Sequence, residues 1–156
     1  MRRNLLVLGI GNLLNSDEGV GVHAIRRLKE RYPSSEVPMA DGGTLGLNLL
    51  PLVEDATHLL LLDAVDAGRA PGSVIELAKD DIPIFGGYKL SQHQLTFQEV
   101  LGLALVRQKF PEHLHLIGIQ PASLAIGVEL SPVVEAALPI MLDKTAEVLH
   151  NWGVDL

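Results

Sequence analysis

The chain has 156 residues, the length of one ordinary domain, and is read as a single domain over 1–156. A chain of this size buries about 70% of the surface its unfolded form exposes, so folding requires no disulfide or structural metal. The formal net charge of −7 argues against a nucleic-acid partner held by phosphate contacts, and the absence of cysteine removes thiolate nucleophiles, zinc fingers and iron–sulfur ligation.

Asn4–Ile10 is a short, almost wholly apolar run closed by glycine, as in a strand buried on both faces of a parallel sheet. Its charged start resembles a signal peptide, but no small-x-small cleavage site follows, and Asp17-Glu18 interrupts the pattern. The segment therefore reads as the first strand of a cytoplasmic protein, and Leu59–Leu62 is too short to span a bilayer. A helix is predicted from about Glu18 to Arg31, with Val22, Ile25 and Leu28 inward. A weaker strand is predicted over Glu36–Ala40, stopped by Asp41-Gly42-Gly43, and a short helix over Leu45–Val53 carrying Leu45, Leu49 and Leu52. His58–Leu62 is the third strand, ending at Asp63, and Ser73–Ala78 the fourth. Asp81–Ser91 is irregular, Thr96–Arg107 helical, and His113–Ile119 the fifth strand. Ser131-Pro132 has N-cap and first-turn chemistry for a terminal helix to about Asn151, which Pro139 should kink or break.

Alternating strands and helices predict an α/β fold, a three-layer α/β/α sandwich around a mostly parallel five-stranded twisted sheet. The loop before Ser73 is too short for a helical crossover. The fourth strand is therefore open to antiparallel pairing, or to a crossover without a helix.

Ligands in such sheets bind beyond the carboxyl ends of the strands. That rule gathers Asn12, Asp17, Glu18, Asp41, Asp63, Gln120 and the loop-borne His93 at one rim. Gly9-Ile10-Gly11 has the start of a dinucleotide fingerprint, but Leu14 stands where its third glycine belongs, and a tight strand exit explains the glycines better. Asp17 is accounted for as a cap on the helix that follows. For Glu18, capping and metal ligation stand level. Asp63, directly after four leucines, has to be paired, capped or ligating. His58, His113 and His115 belong to the opposite rim and His23 to a wet helix face, which leaves His93 as the imidazole on the right side. A Glu, an Asp and a His from three loops make an open site suited to zinc, nickel or iron(II), with positions left for water or substrate.

Gly9-Ile10-Gly11-Asn12 with Asp17-Glu18-Gly19-Val20-Gly21 resembles the opening G-x-G-N…D-E/D-G-x-G of the hydrogenase maturation endopeptidases. Asp41-Gly42-Gly43-Thr44, Leu62-Asp63-Ala64, His93-Gln94 and Gly118-Ile119-Gln120-Pro121 fall where that family has similar elements. The resemblance implies a protease that removes the C-terminal extension of a [NiFe] hydrogenase large-subunit precursor after nickel insertion. It implies metal contact through Glu18, Asp63 and His93, with Asp63, Glu18 and Asp41 as the catalytic candidates. The nickel would arrive with the precursor, and other divalent transition metals would suit the same ligands. The family carries both aspartic-type and nickel-dependent labels. The expected protein is a monomer with no membrane partner. Alternatives are a non-enzymatic nickel chaperone, and a peptidase of the same fold with another protein substrate.

Overall fold

The computed structural model describes residues 3–82 and 92–156, with the backbone alone at 92–96. Five strands form one sheet: β1 (Leu5–Ile10), β2 (Met39–Gly43), β3 (His58–Ala64), β4 (Val74–Ala78) and β5 (His113–Ile119). Their order is β2-β1-β3-β5-β4. All neighbours are parallel except β4, which runs antiparallel to β5 with Val74 opposite Ile119. Of the two routes open to the fourth strand, the chain takes the antiparallel one.

Strand β1 is apolar throughout, and β3 is apolar from Leu59 to Leu62, because both faces are covered. On one face, Val7, Leu60, Leu62 and Ile117 pack under α1 (Val20–Arg31) and α4 (Pro132–Asn151). On the other, Leu6, Leu8, Leu59 and Leu61 pack under α2 (Leu50–Asp55) and α3 (Gln92–Val106). Successive side chains of one strand therefore enter opposite cores, as the pleat requires, and the three-layer sandwich follows. Among the described residues, no helix is long and apolar enough to cross a membrane.

Five predicted elements need correction. The helix expected over Thr96–Arg107 starts earlier, at Gln92, so His93 lies in its first turn rather than in a loop. The second strand is Met39–Gly43 rather than Glu36–Ala40, so Asp41 lies inside it, opposite Gly9. The ladder with β1 starts at Pro38, whose carbonyl accepts from the Val7 amide at 2.9 Å, and continues through the glycines. The helix expected over Leu45–Val53 is divided into a 3-10 turn, Gly46–Leu49, and α2, because Pro51 starts a new helix near its N-terminus. Leu49 and Val53 are buried, whereas Leu45 and Leu52 are 55% and 42% exposed. The third strand runs on to Ala64, since β5 offers partners up to Asp63–Gly118 and Ala64–Ile119. Finally, α4 is unbroken across Pro139. Pro139 lies on the exposed side, where the Glu135 carbonyl that loses its helical donor can turn to water. The irregular stretch expected over Asp81–Ser91 lies, beyond Ile82, outside the described residues.

Candidate functional site

The exit from β1 sets the geometry of the rim. Gly11 has φ +132°, and a side chain there would run into the carbonyl oxygen of Glu18. At Gly21, a Cβ would meet the carbonyl oxygens of Leu62 and Ile10. The glycines thus let the start of α1 rest directly on the carboxyl ends of β1 and β3. This bears out the steric reading of Gly9-Ile10-Gly11.

Between β1 and α1 lies a 3-10 turn, Ser16–Gly19, that packs on β3. It carries Glu18, which is 7% exposed. Ser16 holds a left-handed backbone, φ +52°, unusual for a residue with a side chain. Its amide bonds to the Gly127 carbonyl at 2.9 Å and its hydroxyl donates to the Ala125 carbonyl at 2.7 Å. Asp63 is 2% exposed near the end of β3, opposite Gly118, and its Oδ1 accepts from the Ala64 amide at 2.8 Å. Asp41 is exposed on the edge strand β2 and lines a pocket of about 170 Å³ with Gly11, Asn12, Leu13, Val22, Gly43 and Thr44.

His93 stands in the first turn of α3. The far end of that helix reaches the opposite rim, where the Arg107 guanidinium pairs with Glu54 at 2.7 Å, just before β3 begins. The first turn of α3 therefore belongs to the carboxyl-end side. The His93 side chain lies outside the described residues, and among those residues no three His, Cys, Asp or Glu are grouped as a metal site.

Asp17 departs from its expected role. It caps neither the 16–19 turn nor α1. Fully buried, its carboxylate reaches across the rim to the β5–α4 loop. It accepts from the amides of Ala122 (2.9 Å), Ser123 (2.9 Å) and Ser131 (2.7 Å), and from the Ser131 hydroxyl (2.7 Å). Burial alone would push this carboxyl upward. The bonds from Ser131, Ser123 and Ala122 together outweigh burial and hold it below its ordinary value of 3.8. Ser131 precedes α4 as predicted, but its hydroxyl serves Asp17 rather than the helix. Nothing local signals this arrangement, because the partners are more than a hundred positions away.

Gln120 is a brace. Its Oε1 accepts from the amides of Ala67 (2.8 Å) and Arg69 (3.2 Å), and its Nε2 donates to Asp66 at 3.0 Å. The histidines of the far rim behave as expected: His58 and His113 stack at 4.2 Å beside Trp152, and His115 pairs with Glu76. Burial, then the neighbouring His113 and Arg3, hold the His58 imidazole below its ordinary value. His23 is not on a wet face. It is half-buried with an unpartnered Nε2, and burial followed by Arg26 and Arg27 lowers its affinity for a proton.

This geometry accompanies a clear set of relatives. The family model "HycI: Hydrogenase maturation protease" matches residues 22–148. The hydrogenase expression/formation protein HupD of Rhodobacter capsulatus is 40% identical over 155 residues, covering 97% of this chain and 74% of that protein. The hydrogenase 2 maturation protease of Escherichia coli (strain K12) is 36% identical over 153 residues, covering 97% and 93%. Among solved structures, the hydrogenase maturating endopeptidase HybD from E. coli superposes with a TM-score of 0.91 at 35% identity, covering 99% of this chain and 96% of that one.

Proposed function

Because the chain belongs to the hydrogenase maturation protease family, we propose that it is the endopeptidase that removes the C-terminal extension of a [NiFe] hydrogenase large-subunit precursor once nickel has been inserted. What carries this reading is the burial of two carboxylates, Glu18 and Asp63, at the carboxyl edge of the sheet, each on a different element. Carboxylates at this edge lie where open α/β sheets bind their ligands. Oxygen donors of this kind, joined by the His93 imidazole, suit a divalent transition metal, and the chain has no thiolate to add.

In this reading the nickel belongs to the substrate, held by the precursor's cysteines. Glu18, Asp63 and His93 approach it and so bring the scissile peptide to a fixed position. A water beside the carboxylates attacks the scissile carbonyl carbon and gives up its proton to a carboxylate. The C–N bond then breaks, and that proton leaves with the new amine. Asp41, exposed beside the β1–β2 pocket, assists as base or orients the peptide. The reaction belongs to the cytoplasm, where the precursor is completed.

The test is to mix the protein with nickel-loaded and nickel-free precursor and follow the mass of the large subunit. Only the loaded form should lose its extension. Nickel transfer without shortening would mark a chaperone, and equal cleavage of both forms would remove the sensing role from the trio.

A further inference from the structure

The β5–α4 loop is held to the site more firmly than a connection requires. Asp17 bonds to it at Ala122, Ser123 and Ser131. Asn15 Nδ2 donates to the Leu124 carbonyl at 3.2 Å, and Asn15 and Gly127 form an isolated parallel bridge. The Gly127 amide bonds to the Leu14 carbonyl at 2.9 Å. Yet what this pinned loop presents to solvent is apolar. Ile126 is 93% exposed, and Leu124, Val128 and the adjoining Leu14 are exposed with it. From 119 to 128 the chain carries no charged side chain, although its net charge is −7.

We infer that this loop face, continuous through Asp17 with the turn that carries Glu18, is a docking surface for an uncharged, apolar segment of the protein substrate. The inference rests on the proposed processing function and names the substrate chemistry it uses. A rigid loop loses little conformational entropy on binding, which makes exposed aliphatic side chains on it effective contacts. A charged segment would shed its hydration here without finding a partner. An apolar one releases water on both sides. Contact at this face brings the substrate alongside Glu18, so recognition of protein and recognition of metal occur at one rim.

The variant Ile126→Asp tests this, because a side chain so exposed contributes little to folding. Its KM for nickel-loaded precursor should rise about tenfold, a loss typical of one important interface side chain. Its kcat and thermal midpoint should stay at wild-type values. Val106→Asp, at a side chain 75% exposed at the far end of α3, should leave KM unchanged. Calorimetric affinity for the precursor is measured in parallel, so that docking is read even if cleavage is absent. Binding weakened by Ile126→Asp without cleavage by either protein would keep the docking face and defeat the peptidase reading. Wild-type affinity and KM for Ile126→Asp would overturn the docking face. So would absence of binding by the wild type, or a change only in self-association on sizing, which would assign the face to a second copy of the chain.

Discussion

Asp17 and Glu18 are neighbours in sequence, but the Asp17 carboxylate is spent on four hydrogen bonds within the fold, while Glu18 sits in the turn facing the rim beside β3. The two buried acids Asp17 and Asp63 should accordingly respond to mutation in opposite ways. Asp63→Asn keeps an oxygen for the Ala64 amide, so the thermal midpoint should stay near or above wild type. Precursor processing should fall by about 10²-fold or more, as for loss of an acid–base group. Asp17→Ala strands three amides and a hydroxyl and should cost about 3 kcal/mol or more in a urea titration. The sign of its pH dependence follows from linkage. The folded carboxyl titrates below its ordinary 3.8, so its stabilisation is complete above that value and is lost as pH falls through the folded value. Asp17→Ala should therefore show a flatter acid limb below about pH 3.8. A collapse of folding in Asp63→Asn instead would make that residue a loop brace.

At the scale of elements, the contact of α1 with the sheet depends on Gly21, where any Cβ would meet two carbonyl oxygens. Backbone on both sides cannot move aside as a side chain can. Gly21→Ala should therefore destabilise by about 3 kcal/mol or more, read as a fall in the urea midpoint or in soluble yield. The helix α1 is also tied to α4 by Arg27–Glu135 (2.6 Å) and Arg31–Asp143 (2.8 Å). These pairs are half-exposed, and each contributes well under about 1 kcal/mol. Arg27 and Arg31 thus serve the α1–α4 layer.

Across the whole molecule, the proposed ligands are few and contain no thiolate. The purified protein should bind nickel weakly and lose it on dialysis, with tight binding appearing only in the presence of nickel-loaded precursor. Calorimetry with the metal alone and then with the precursor checks this, and tight nickel binding by the protein alone would make the metal resident. The alternation of strands and helices by itself determined the sandwich: an almost wholly apolar run such as that of β1 had to be a strand covered on both faces, and the helices had to supply the cover. The position of Asp63 straight after such a run placed it at the carboxyl-end rim of the sheet, and glycines beside the acids marked a tight strand exit. Other features depended on partners distant in sequence. The start of β2 was set by the amide of Val7 reaching Pro38, not by local propensity. The burial of Leu49 but not Leu45 was set by which face met α3. The role of Asp17 was set by amides at 122, 123 and 131, which only the folded chain brings within reach of its carboxylate. A local pattern encodes which face of an element is apolar, but hydrogen-bond partners and strand limits are decided by what the rest of the fold places beside it.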